Sequence, residues 1–143
     1  MEIVIAVIVG VIIWYVLKAK KEASETSINP NLNNISYAYN IVGEQSYQNN
    51  LKKIAGPKEE ESKFFECQAK VSSDHFNQYD KNAVKVEING LLVGYLSSGD
   101  AAKLAGKVIN KIVPAVIDGG WKDADSTGSY GVKLAINNVY DLV

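Results

Sequence analysis

From Val84 to Ile88 apolar and charged residues alternate, with Val84, Val86 and Ile88 on one face and Lys85 and Glu87 on the other. A period of two is that of a strand with one face buried. Asn89-Gly90 follows, the pair best suited to a two-residue hairpin turn, whose central positions both need positive φ. Leu91 to Leu96 then predicts the returning strand, and the polar run Asp74 to Asn82 leads into the hairpin. Phe65, Cys67, Ala69 and Val71 alternate with Glu66, Gln68 and Lys70 and predict another strand. Asn40 to Gly43, Val113 to Ile117 and Tyr130 to Val139 give three more.

Two stretches carry a helical period instead. Tyr47, Leu51 and Ile54 share one face of a short helix over Ser46 to Ile54, with Ser46 as N-cap and Gly56-Pro57 as stop. Ser97-Ser98-Gly99-Asp100 is an N-terminal helix signature. After it, Ala101, Leu104, Ala105, Val108, Ile109 and Ile112 fall on one helix face, and Pro114 ends the run. Lys103, Lys107 and Lys111 form the opposite stripe, a solvated face. The segments Lys58 to Lys63 and Asp118 to Ser129 are polar loops. Five or six strands with two short helices predict a small, closed or partly open β-barrel over residues 39–143.

The N-terminal pattern is different. Ile3 to Leu17 is an unbroken apolar run in which Gly10 is the only small interruption. With Met1 it approaches the roughly 17 to 25 residues that a spanning helix needs. Trp14 and Tyr15 lie where amphipathic rings favour the headgroup region, and Lys18, Lys20 and Lys21 follow at once. A secretory signal has the opposite order, with positive charge in front. Residues 1–21 are therefore expected to be a single-pass transmembrane anchor, with the rest of the chain cytoplasmic by the positive-inside rule. Residues 22–38, rich in Ser, Asn and Thr, are expected to be a linker that lets the domain stand on the order of 25 Å from the bilayer.

Composition narrows the chemistry. The chain has 143 residues and a formal net charge of −1, so no global attraction to nucleic acid or anionic lipid operates. All its cationic side chains apart from His75 are lysines, and the planar fork that reads phosphates and guanine edges is missing. A single cysteine, Cys67, excludes an internal disulfide and fits a reducing compartment. With one Cys and one His a zinc site of the usual kind is excluded. His75 has no partner in the sequence, and no nucleophile–base pair is evident, so neither an enzyme nor a cofactor is expected.

The motifs Ile41-Val42-Gly43 with a following Tyr47, Asn77-Gln78-Tyr79-Asp80-Lys81-Asn82-Ala83-Val84-Lys85-Val86, Asn89-Gly90 and Val93-Gly94-Tyr95-Leu96 together resemble the HIRAN domain. That family has a V-G opening, an N-x-Y-D-x-N-A-[VI]-x-V core and V-G-x-L before a helix. The resemblance runs from about Tyr39 to Val139. It implies an OB-like or SH3-like barrel that recognises the 3′ end of single-stranded DNA or another nucleic-acid end without catalysis. On this basis Tyr47, Tyr79, Asp80, Asn82 and Tyr95 are the candidate binding residues. The implied chemistry is base stacking on an aromatic ring and acceptance of the terminal sugar hydroxyl by a carboxylate. The pattern departs from the family at three places. Gln45 stands where DNA-end binders carry Arg, Ser46 replaces a second aromatic, and Ser98 falls near a position where they offer Lys. Those losses remove charge-assisted phosphate contacts. They leave a second expectation, a protein–protein adaptor on the same scaffold whose nucleic-acid pocket has degenerated.

Overall fold

The computed structural model describes residues 35–143, so the expected anchor and most of the expected linker lie outside the described residues. Six strands form one sheet: β1 (Tyr39–Asn40), β2 (Lys63–Ser73), β3 (Val84–Ile88), β4 (Leu91–Tyr95), β5 (Asn110–Gly119) and β6 (Tyr130–Leu134). Their order is β1-β6-β5-β2-β3-β4 and every pairing is antiparallel. The protein is mainly β and barrel-like, because the sheet curls until its two outer strands meet. Val42, just past β1, pairs with Tyr95 at the end of β4, each amide donating to the other's carbonyl at 2.8 and 2.9 Å.

The hairpin of β3 and β4 is as the alternation predicts. Asn89 and Gly90 both have positive φ, 52° and 77°, and Val84, Val86 and Ile88 are buried while Lys85 and Glu87 are half-buried. A register shift between Val86 and Glu87 bends the pair. β2 and β5 form the longest ladder, from Lys63↔Gly119 to Ser72↔Asn110. Ala69, Val71, Ala115 and Ile117 from that ladder join Val86, Val93, Val132 and Leu134 in one core. The expected inward face of β2 fades toward its start. Ala69 and Val71 are buried, Cys67 is half-buried, and Phe65 is exposed.

Several boundaries differ from expectation, each for a local reason. The first helix opens as a 3-10 turn, Glu44–Tyr47, and becomes α1 only at Gln48–Ala55. Ser46 caps nothing, because Gly43 at φ 84° starts the turn and Ser46 donates its own amide to the Gly43 carbonyl. The stop is as predicted, with Gly56 at φ 93° donating back to Lys52.

The second helix, α2, is only Ser98–Lys103. Ser97 accepts the Asp100 amide at 3.2 Å, so the start signature holds. Gly106, at φ 81°, then turns the chain, and the expected lower half of the helix becomes the approach to β5. Ser73 fixes that approach twice, donating its amide to the Ile109 carbonyl and accepting the Ile109 amide on its hydroxyl. The lysine stripe therefore does not exist as a helix face. Lys103 is on α2, Lys107 is in the turn and Lys111 is in β5.

Pro114 ends no helix but sits inside β5, opposite Gln68. Its carbonyl accepts from Ala135, just beyond the last β6 residue, Leu134. In a strand the amide and carbonyl positions of one residue point to the same side. The N–H that proline lacks would thus face the place where β6 is already leaving the sheet. The last strand is likewise shorter than expected. β6 stops at Leu134, and Val139–Leu142 form a 3-10 turn closed by a capping box between Asn138 and Asp141.

Candidate nucleic-acid interface

The polar run before β3 is held by its own short side chains. Asn77 accepts the amides of Tyr79 and Asp80 at 2.9 and 3.1 Å, and one carboxylate oxygen of Asp80 accepts the Asn82 amide at 2.9 Å. The Asp80 carbonyl takes the Ala83 amide, and the Asp74 amide donates to the Ala83 carbonyl. These turns, built by Asx side chains, fix the backbone without a strand or helix. The loop they hold leaves Tyr79 97% exposed. A large aromatic held in water by an ordered backbone is available to a flat partner.

Tyr79, Asp80 and Tyr95 line one cleft of about 330 Å³ together with Val42, Asn77 and Ser98. The Tyr79 and Asp80 contributions come from the loop, and Tyr95 and Val42 come from the bridge that joins the sheet's ends. Tyr47 does not line the cleft but packs beside Tyr95. Its ring centroid is 6.4 Å from that of Tyr95 at an interplanar angle of 51°. Burial first, then the neighbouring Tyr47 and the negative charge of Asp74, push the Tyr95 hydroxyl up to about 12, with Asn77 opposing them. Tyr95 is thus a neutral donor at all ordinary pH. Asp80 spends one oxygen on the loop, and among the described residues the other accepts no hydrogen bond. The structural and ligand roles open to Asp80 at the level of sequence are compatible.

Asn82 is not part of this cleft. It donates its amide to Asp80, and the residue lines a different depression on the other side of the loop, with His75, Lys81 and Lys107. Asn77, Val42 and Ser98 are cleft residues beyond the predicted set, although Asn77 stands within the motif that pointed to Tyr79 and Asp80. Gln45 is turned elsewhere, its side chain 3.5 Å from the Ser129 hydroxyl. Among the described residues no lysine lines the cleft. An ion pair lies on α2, where Lys103 contacts Asp100 at 3.2 Å.

Burial pushes the Cys67 thiol up to about 11, which leaves it a thiol and a poor nucleophile. Among the described residues no group of His, Cys, Asp and Glu is arranged to hold a metal ion. No protein-family model, curated protein or solved structure matches this chain.

Proposed function

We propose that residues 39–143 form a HIRAN-type, OB-like binding module that takes the 3′ end of a single-stranded nucleic acid in the Tyr79–Asp80–Tyr95 cleft, without catalysis. The observation that carries the reading is the pairing, on one hydrogen-bonded loop, of an exposed aromatic ring with a carboxylate that has one oxygen to spare. Stacking on such a ring is worth roughly 1 to 3 kcal/mol per base. The free Asp80 oxygen suits a terminal sugar hydroxyl, which an internal nucleotide lacks. The motif resemblance supports the same reading independently of the geometry.

The test uses the full-length chain in detergent micelles and a short fluorescent single-stranded DNA. A free 3′ hydroxyl should bind about tenfold or more tightly than a 3′-phosphorylated end, the size of a lost charge-assisted hydrogen bond. Asp80→Asn keeps an oxygen for the Asn82 amide while removing the charge, so it should narrow that preference. Equal binding of free and blocked ends by the unaltered protein removes the end-recognition reading. A protein-adaptor reading is favoured by one observation, the absence of lysine from the cleft lining. Salt separates the two, since strand binding weakens steeply with added salt and a largely apolar protein contact does not.

The apolar run Ile3 to Leu17 supports a further proposal, that the module is tethered to a membrane with its barrel on the cytoplasmic side. The chain should then stay with the membrane pellet through alkaline carbonate and leave it only in detergent. Release by carbonate would remove the anchor.

A further inference from the structure

The loop that builds the cleft has a second side. Asn77, Tyr79 and Asp80 of the run line the cleft, while His75, Lys81 and Asn82 line a smaller depression of about 170 Å³. Ala83 lies in the wall of both. The far wall of the smaller one is the turn after α2, where Gly106 at φ 81° brings Lys107 back toward the loop. Its ionisable lining groups are His75, Lys81 and Lys107, with no carboxylate among them. Among the described residues neither lysine pairs with an acid. Of the two nearest acids in sequence, Asp74 accepts from the Asn77 side chain and one oxygen of Asp80 accepts the Asn82 amide, and neither lines the depression. Ser73 also lines the depression, and its hydroxyl oxygen takes the Ile109 amide, which leaves the hydroxyl proton to donate. Such a recess, lined by cations and donors without an acid, is complementary to a compact anion with several acceptor oxygens.

We infer that this depression holds a phosphoryl group. Resting on the function proposed above, the group is a phosphate of the strand whose end occupies the cleft. That assignment accounts for an otherwise awkward division. The cleft offers a ring and a carboxylate but no cation, and a strand's backbone needs one. Lys81 follows Asp80 directly, so the neutralising charge stands one residue from the end-recognising oxygen, across the crest of the loop.

The test again uses the full-length chain, isotopically labelled in micelles, with inorganic phosphate as the first probe. At low salt, phosphate should shift the amides of Lys81, Asn82, Gly106 and Lys107 in a saturable way. K81Q/K107Q should abolish those shifts and leave the remaining spectrum in place, both side chains being exposed. The second probe is the single-stranded oligonucleotide. For each phosphate no longer neutralised, the slope of log affinity against log salt should fall by about 0.7 in K81Q/K107Q. Tyr79→Ala should weaken oligonucleotide binding while leaving the inorganic-phosphate shifts unchanged. Absence of saturable phosphate shifts, or their survival in K81Q/K107Q, overturns the anion site whatever the oligonucleotide does. Intact phosphate binding with an unchanged salt slope, or with no oligonucleotide binding at all, overturns the assignment to a strand and leaves a site for free phosphate.

Discussion

Gly94 shows how much a single residue can be required by closure. Its φ is not in the left-handed region, so backbone freedom is not the reason for glycine. A Cβ at this position would lie 2.6 Å from the Val42 carbonyl and 2.8 Å from an Ile41 methyl. The segment after β1 crosses β4 at this point to make the Val42–Tyr95 bridge, and only a bare Cα lets it come close enough. Gly94→Ala should therefore destabilise the protein by about 1 to 3 kcal/mol, the usual range for overpacking. A denaturant titration reads that loss as a lower midpoint. The same variant should weaken strand binding, since Tyr95 and Val42 line the cleft, and an unchanged midpoint would show that the crossing relaxes freely. By contrast Gly90 has open space around its Cβ position and is needed for its positive φ alone.

At the scale of elements, the sequence was most informative where one period acted alone. The β3–β4 hairpin was legible in full, because its alternation, its Asn-Gly turn and its burial all agree. The α2 region was not. Ile109 satisfies a helical spacing from Ala101 and Leu104, and it is buried in the structure as well, but from the approach to a strand. Val108 and Ile112, which the helix would have buried, are exposed at 81% and 67%. The deciding facts were the positive φ of Gly106 and the two bonds between Ser73 and Ile109, neither of which a one-dimensional pattern contains. In the site, Tyr79 and Asp80 were legible from their motif. The exclusion of Asn82 was not, because an irregular loop has no period to say which side a residue faces. Lys81 and Lys107 lie far apart in sequence, and only the turn after α2 brings them to one recess.

The elements are also tied by tyrosines, and this sets the behaviour of the whole molecule at high pH. Tyr39 on β1 donates to Asp100 on α2 at 2.5 Å, Tyr130 on β6 donates to the Gly56 carbonyl at 2.6 Å, and Tyr37 donates to Glu66 on β2. Burial is the largest cause raising each of these hydroxyls. The Asp100 and Glu66 carboxylates add to it for Tyr39 and Tyr37, and the charge of Glu59 adds for Tyr130. Tyr37 and Tyr95 are pushed up to about 12. In the unfolded chain the same groups release protons near 10. Between those values the folded state holds more protons than the unfolded one, so the stability they contribute is full below 10 and is lost as pH rises toward 12. On the acid side, the Tyr39 hydrogen bond lowers Asp100, and that contribution is lost only as pH falls through its depressed value. Denaturant midpoints should accordingly fall above pH 10. Tyr39→Phe should flatten part of that fall, and a midpoint that stays level through the alkaline range would contradict the tyrosine account.

The meeting of Val42 with Tyr95 has a consequence for how other chains can approach. A sheet normally ends in a strand whose outward amides and carbonyls invite another strand to add, the route of many peptide complexes and of edge-to-edge aggregation. In this protein Val42 occupies the Tyr95 end of β4, and the Asn50 side chain on α1 donates to the outward Leu92 carbonyl at 2.8 Å. At Tyr95 and at the Leu92 carbonyl, the positions of β4 that would template an incoming strand are taken by the chain itself. On the function proposed above, a partner at this face is recognised by side chains and shape, by rings, a carboxylate and a lysine recess, and finds no free backbone at these two positions.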